Sequence, residues 1–231
     1  MAGGETLLLF DIDGTLVWRA SHEHASALRE ALHEVHGLDP EFPLQYSAAG
    51  RTDGEIARLL LLAAGHSARE IDSRAADVRE ATCAAYARRC PPDLSDKVLP
   101  GIPPLLESLA GRDDVRLALV TGNFETVARL KLLRAGIGAF FGRGQGGFGS
   151  DSEDRTRLPA IARRRAGVSG VSHPREQTIV IGDTPRDIAC ARADGVLCVA
   201  VATGPIPASE LTDADAVAGP GELAAVLDGL L

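Results

Sequence analysis

"LLLFDIDGTL", residues 7–16, is an apolar run that ends in two aspartates one residue apart, followed by glycine and threonine. Uninterrupted apolar residues bounded by a polar cluster suit a strand buried on both faces, as in a parallel sheet covered by helices. The same signature recurs at "VRLALVTGN" (115–123), "QTIVIGD" (177–183) and "VLCVAVATG" (196–204). Each but the last leads into helix-forming sequence, notably "ETVARLKLLRAG" (125–136) and "PRDIACARADG" (185–195), both closing on glycine as helices often do. This alternation of strand and helix predicts an α/β fold built on a parallel sheet.

Between the first two strands, residues 17–96 have a different texture. They are rich in Ala, Leu, Arg, Glu and His, show no convincing strand, and read as several short helices, for example "SHEHASALREALHEVHG" (21–37) and "EIARLLLLAAG" (55–65). A proline-rich stretch, "CPPDLSDKVLPGIPP" (90–104), suits the return to the sheet. The expected organisation is a core of residues 1–16 and 97–231 with a helical insert over 17–96.

With 231 residues, 45% hydrophobic and 24% charged, the chain has an ordinary globular composition. Its net charge of -8 gives no general attraction to nucleic acid or anionic membrane, so an anionic ligand has to be met by local cations or a metal. Four cysteines without a C-x-x-C pair do not form a disulfide framework, and no signal peptide or membrane-length apolar run is visible. The expectation is a cytoplasmic protein, monomer or homodimer, whose partner is a small phosphorylated metabolite.

Ligands of open parallel sheets bind beyond the carboxyl ends of the strands. Three polar clusters fall there: "DIDGT" (11–15), "TGN" (121–123) and the start of "GDTPRD" (182–187). Residues i and i+2 of an extended strand point the same way, so Asp11 and Asp13 share one crevice. Two carboxylates about 4 Å apart repel by roughly 4 kcal/mol at an effective dielectric near 20, and a phosphate would add to that. A divalent cation relieves the repulsion, and carboxylate oxygens completed by water and phosphate describe a Mg2+ site.

"DIDGTL", "TGN" and "GDTPRD", in this order at the ends of predicted strands, resemble the haloacid-dehalogenase-like superfamily of aspartate-nucleophile phosphatases. The likeness covers nearly the whole chain. A helical insert directly after the first motif, and the return "LPGIPPLLESLA" (99–110), resemble its phosphoglycolate-phosphatase and β-phosphoglucomutase branch. The resemblance implies a Rossmann-like core, a cap formed by 17–96, and two-step phosphoryl transfer. In that scheme Asp11 is the nucleophile, and Asp13 protonates the leaving oxygen and then deprotonates water. Asp11, the main-chain carbonyl of Asp13 and Asp183 hold the metal. Thr121 binds phosphate with the backbone donors of Gly122 and Asn123. Arg51, in the insert's "AAGRTDG" (48–54), either reads an anionic group at the far end of the substrate, as in the mutase branch, or is a solvated arginine near a helix start capped by Thr52 or Asp53.

The family's third motif normally supplies a lysine between the "TGN" and "GD" segments. The chain's lysines are Lys97 and Lys131, and Lys131 falls mid-helix after "TGN", too early for that role. The cation is therefore expected from "SDSEDRTRLPAIARRRAG" (150–167), with Arg155 preferred to Arg157 because Ile161 follows it at the family's six-residue spacing. Asp187 has two readings, as a partner of the metal or as the third residue of a capping box opened by Thr184. Asn123 likewise reads as a helix cap or a phosphate donor. "GRGQGG" (142–147) matches a dinucleotide-binding pattern, but acidic "SDSED" follows where a phosphate-binding helix should open, so it reads as a turn and short strand. His22, His24, His33 and His36 read as solvated or packing residues, with His22 and His24 also within reach of the entrance, and zinc ligation has no companion cysteines or recognisable spacing. Trp18 and Arg19 lie near enough to Asp13 to line the entrance, or pack. The expected reaction is Mg2+-dependent hydrolysis of a small phosphomonoester. The alternatives are a phosphomutase that excludes water and a phosphate-binding regulatory protein without turnover.

Overall fold

The computed structural model describes residues 4–204 and 206–231. Six parallel strands form one sheet: β1 (Thr6–Phe10), β2 (Val115–Thr121), β3 (Gly147–Phe148), β4 (Thr178–Gly182), β5 (Leu197–Val201) and β6 (Ala216–Ala218), in the order β3-β2-β1-β4-β5-β6. The alternation of side chains along a strand divides the core in two. Leu8 and Phe10 of β1 face one way, with Leu119 and Ile181, onto α4 (Ile102–Ala110), α5 (Glu125–Arg134) and α8 (Leu223–Asp228). Leu7 and Leu9 face the other way, with Val120 and Val180, onto α6 (Leu158–Ala166) and α7 (Pro185–Asp194). Both faces are thus buried, which is why the strands read as continuous apolar runs.

β1 lies at the centre, with β2 on one side and β4 on the other. Phe10 is in register with Leu119 and with Ile181, so the residues that follow these strands emerge side by side. This is where the winding direction reverses, the position at which an open α/β sheet leaves a crevice.

The insert contributes α1 (His22–His36), α2 (Asp53–Ala63) and α3 (Ala68–Arg89). They pack on one another through Leu28, Leu32 and Val35 of α1, Leu60 and Leu61 of α2, and Ile71 and Val78 of α3. The N-termini of α2 and α3 are capped by Thr52 and Ser67, whose hydroxyls accept from Glu55 N at 3.1 Å and Glu70 N at 3.2 Å. Where short helices were expected, α3 runs for 22 residues. Its buried stripe, Ile71, Val78, Thr82 and Ala85, is sparse in large apolar side chains, so the helical period is faint in the sequence. A second seam, Ala27, Ala85 and Tyr86 against Phe124 and Val127, joins insert to sheet.

Candidate active site

Asp11 and Asp13 leave the end of β1 and both line a cavity of about 430 Å³ between the carboxyl ends of the strands and the insert. The turn after them needs Gly14, whose φ is +88° and whose missing Cβ leaves room for the Asp183 carboxylate; a Cβ on Gly204 would collide with the same group. The two aspartates answer their mutual repulsion with separate cations. A guanidinium nitrogen of Arg155 lies 3.1 Å from Asp11 Oδ1. The Lys131 ammonium donates to both oxygens of Asp13, at 2.8 and 2.7 Å.

Asp11, Asp183 and Asp187, all buried, each bring one carboxylate oxygen within 4.8 Å of the others. Asp183 Oδ1 is buried and has no hydrogen-bond partner. Burial, reinforced by Asp11 and Asp187, pushes the Asp183 carboxyl up to about 8. Burial also pushes Asp11 up to about 6, against the attraction of Arg155 and with the help of Asp187 and Asp13. This is excess negative charge out of water, with one acceptor unclaimed, and an oxygen-binding dication fits it. Asp187 fulfils its reading as a helix cap: Oδ2 accepts from Thr184 N at 3.0 Å and from Thr184 Oγ1 at 2.7 Å, closing the capping box of α7, while Oδ1 accepts from Arg155. Both its oxygens are therefore in use, and it stands behind Arg155 within the carboxylate cluster.

Arg155 is buried and Arg157 is exposed, so only the first lies beside Asp11. Thr121, at the end of β2, is fully buried and its Oγ1 accepts from Asn123 N at 3.3 Å. Asn123 does not cap α5. Its Nδ2 donates to Asp13 Oδ2 at 3.0 Å and its Oδ1 accepts from Lys131 at 2.9 Å, because the start of α5 is served from elsewhere. Phe124 N donates to Asp53 Oδ2 at 2.7 Å and Glu125 N to Ser150 Oγ at 2.8 Å. Asp53 belongs to the insert; its own N–H donates to Gly122 O at 2.9 Å, and His24 Nε2 lies 3.1 Å from its carboxylate. At Gly122 a Cβ would run into the main chain of Arg51, so the second motif touches the insert backbone directly.

Arg51 lines the cavity, but its guanidinium is engaged by Glu55, by Ser47 O at 2.9 Å, and lies 6.0 Å over the Tyr46 ring. Arg19 lines the same cavity, holds a left-handed φ of +56°, and has no side-chain partner among the described residues.

Residues 8–192 match the family model described as haloacid dehalogenase-like hydrolase. The chain belongs to that family. A second, HAD-hydrolase-like model matches residues 158–230. The phosphoglycolate phosphatase of Rhodospirillum rubrum is 30% identical over 201 residues, covering 85% of this chain and 79% of that one. Among solved structures, a β-phosphoglucomutase from Clostridium difficile superposes with a TM-score of 0.67 at 18% identity, over 98% of this chain and 97% of that one. A hydrolase from Pseudomonas syringae gives 0.65 at 22% identity, over 97% and 99%. These two structures establish the shared haloacid dehalogenase-like fold.

Lys131 is the group that sequence reading passed over in this haloacid dehalogenase-like hydrolase. It is too early in the chain to stand beside Asp11, yet it is fully buried and serves Asp13 instead. The signal lay in the helix itself: Val127, Ala128, Lys131 and Leu132 form the buried stripe of α5, and a lysine on such a stripe requires an acidic partner. Ser21 was also missed; its hydroxyl donates to Asp13 Oδ1 at 3.3 Å instead of capping α1.

Proposed function

We propose that this phosphoric monoester hydrolase removes phosphate from a small phosphorylated metabolite with Mg2+ as cofactor, through an aspartyl-phosphate on Asp11, the insert over 17–96 acting as the cap. The observation that carries this reading is the buried Asp11 carboxylate held between the Arg155 guanidinium and Asp183, whose neighbouring oxygen lacks a partner. Asp11, Asp183 and the main-chain carbonyl of Asp13 are the residues to hold Mg2+, with Asp187 behind Arg155, and the ion supplies charge neutralisation for carboxylates and phosphoryl oxygens together.

In the first step a carboxylate oxygen of Asp11 attacks phosphorus, the bond to the ester oxygen breaks, and Asp13 hands that oxygen a proton. In the second, Asp13 accepts a proton from water as the water attacks the acyl phosphate, freeing Asp11 and releasing phosphate. Arg155, with Thr121 and the main chain at Gly122 and Asn123, holds the phosphoryl oxygens. In the free protein the two aspartates are poised the other way. Burial works to raise Asp13, but Lys131, aided by His24 and Asn123, holds it below the ordinary carboxylate range, while Asp11 is raised. A phosphate dianion beside Asp13 favours its protonated form, so ligand binding prepares the acid. The resting carboxylate is already the base of the second step.

The cavity also supports a substrate with a second anionic group, read by Arg51 after exchange with Glu55, or by Arg19, whose charge is unclaimed among the described residues. The test is phosphate release from a panel of sugar phosphates, phosphorylated carboxylic acids, nucleotides and an aryl phosphate, with Mg2+ and after chelation. Turnover restored by Mg2+ supports the reading; no turnover across the panel, or turnover indifferent to rigorous chelation, defeats it. Arg51→Ala and Arg19→Ala should raise KM for a phosphorylated carboxylic acid and leave the aryl phosphate nearly unchanged. A cytoplasmic setting accompanies this proposal; among the described residues no helix is long and apolar enough to cross a membrane.

A further inference from the structure

At the far end of α1 from the catalytic aspartates, three residues distant in sequence converge. His36 closes α1, His66 lies in the turn between α2 and α3, and Glu70 is in the first turn of α3. One ligand atom from each lies within 4.8 Å of the other two. His66 Nδ1 is 3.0 Å from Glu70 Oε1, and His36 Nδ1 is 3.8 Å from the same oxygen. The His36 side chain is only 1% exposed, and neither of its ring nitrogens has a hydrogen-bond partner.

An imidazole removed from water with both nitrogens unpaired is costly, and the edge-to-face contact of its ring with His66, 5.2 Å between centroids, leaves those nitrogens unsatisfied. From the geometry we infer a second metal site, in the insert, in which His36, His66 and Glu70 bind a divalent transition ion of the zinc type with water as fourth ligand. Two imidazole nitrogens and one carboxylate oxygen are a donor set that zinc accepts with an open position. Bonds of about 2.0–2.1 Å in a tetrahedron place ligand atoms roughly 3.3 Å apart, between the two distances found here. The titratable groups facing His36 are His66, Glu70 and Arg74. The positive charge of Arg74 is turned aside, its guanidinium bonding Val35 O and Asp77 Oδ2.

An ion here ties the last turn of α1 to the first turn of α3. From His22 to His36, α1 extends about 21 Å, so the ion braces the outer end of the insert and stays clear of the catalytic carboxylates. The sequence concealed this set because His36, at the end of α1, and His66, in the turn after α2, belong to different elements and no cysteine accompanies them.

The experiment is zinc titration of the metal-stripped full chain, with Mg2+ in saturating excess to occupy the catalytic carboxylates, read by native mass spectrometry and by the visible spectrum of a Co2+ substitute. One zinc per chain is expected, with a Tm rise on zinc addition in both wild type and Asp183→Asn. His66→Gln and Glu70→Gln change partly exposed side chains and leave the fold intact by circular dichroism. Each should weaken zinc by at least the roughly 10–100-fold that loss of a mere supporting partner costs. His36→Asn should abolish binding, and if it fails to fold, the other two variants still decide. Zinc binding unaffected by His66→Gln and Glu70→Gln, or lost with Asp183→Asn, overturns the site, as does the absence of binding in wild type.

Discussion

Lys131→Met removes the ammonium from the base of the site while keeping most of the aliphatic packing. All three donors of Lys131 are in use, two on Asp13 at 2.8 and 2.7 Å and one on Asn123 at 2.9 Å. At 2.7 Å and an effective dielectric of 20 the gross attraction to Asp13 is about 6 kcal/mol. Much of that offsets the cost of keeping Lys131 dry. Breaking a fully buried pair typically costs about 3–5 kcal/mol because it strands the remaining charge. The Asp13 side chain keeps 27% of its exposure, so water takes up part of the loss and the expected cost is about 2–3 kcal/mol. For a chain of this size that lowers Tm by about 5–10 °C. The assay is a double-mutant cycle by thermal melting with Asp13→Asn. Because the pair and not the packing is at stake, Lys131→Met should cost clearly less in the Asp13→Asn background, with a coupling of at least about 1 kcal/mol. An equal cost in both backgrounds, or a Tm change within 2 °C in wild type, as for an ordinary surface substitution, would refute the ion-pair account.

Arg155→Ala should abolish most phosphatase activity by removing the cation at Asp11, while Arg157→Ala, an exposed change, should leave the rate near wild type; the reverse ranking in a phosphate-release assay moves the phosphate cation one helix step. For the metal-free protein, stability should fall with rising pH at Asp183. The unfolded carboxyl gives up its proton near 3.8, whereas the folded one keeps it up to about 8, so stability present at acid pH is lost across that window. Asp183→Asn in chelator should then melt above wild type at pH 8 and show no such advantage at pH 4; a wild type more stable than the variant at pH 8 without metal would contradict the reasoning.

How far the sequence discloses this molecule depends on burial. Strands β1, β2, β4 and β5 are buried on both faces and so carry unbroken apolar runs, whereas β3 and β6 are edge strands of two and three residues, too short to show any period. The carboxylates Asp11, Asp13 and Asp183 were legible because each stands where a strand ends, a position fixed by local pattern. Arg155 was accessible through spacing. The bonds of Lys131 and Asn123 to Asp13 were not legible for one shared reason: Asp13 is more than a hundred residues away, and only the assembled sheet brings α5 beneath it. The same holds for the insert, where Asp53 caps a helix of the core and His36 meets His66.

Whether Asp11 carries the phosphoryl group is decided by acid quenching during turnover, followed by intact-mass and peptide analysis. An acid-stable, hydroxylamine-labile adduct of one phosphoryl group on Asp11 is expected, formed only with Mg2+ and absent from an inactive but folded Asp11→Asn variant. Turnover without any covalent adduct, or an adduct on another residue that persists in Asp11→Asn, would contradict it.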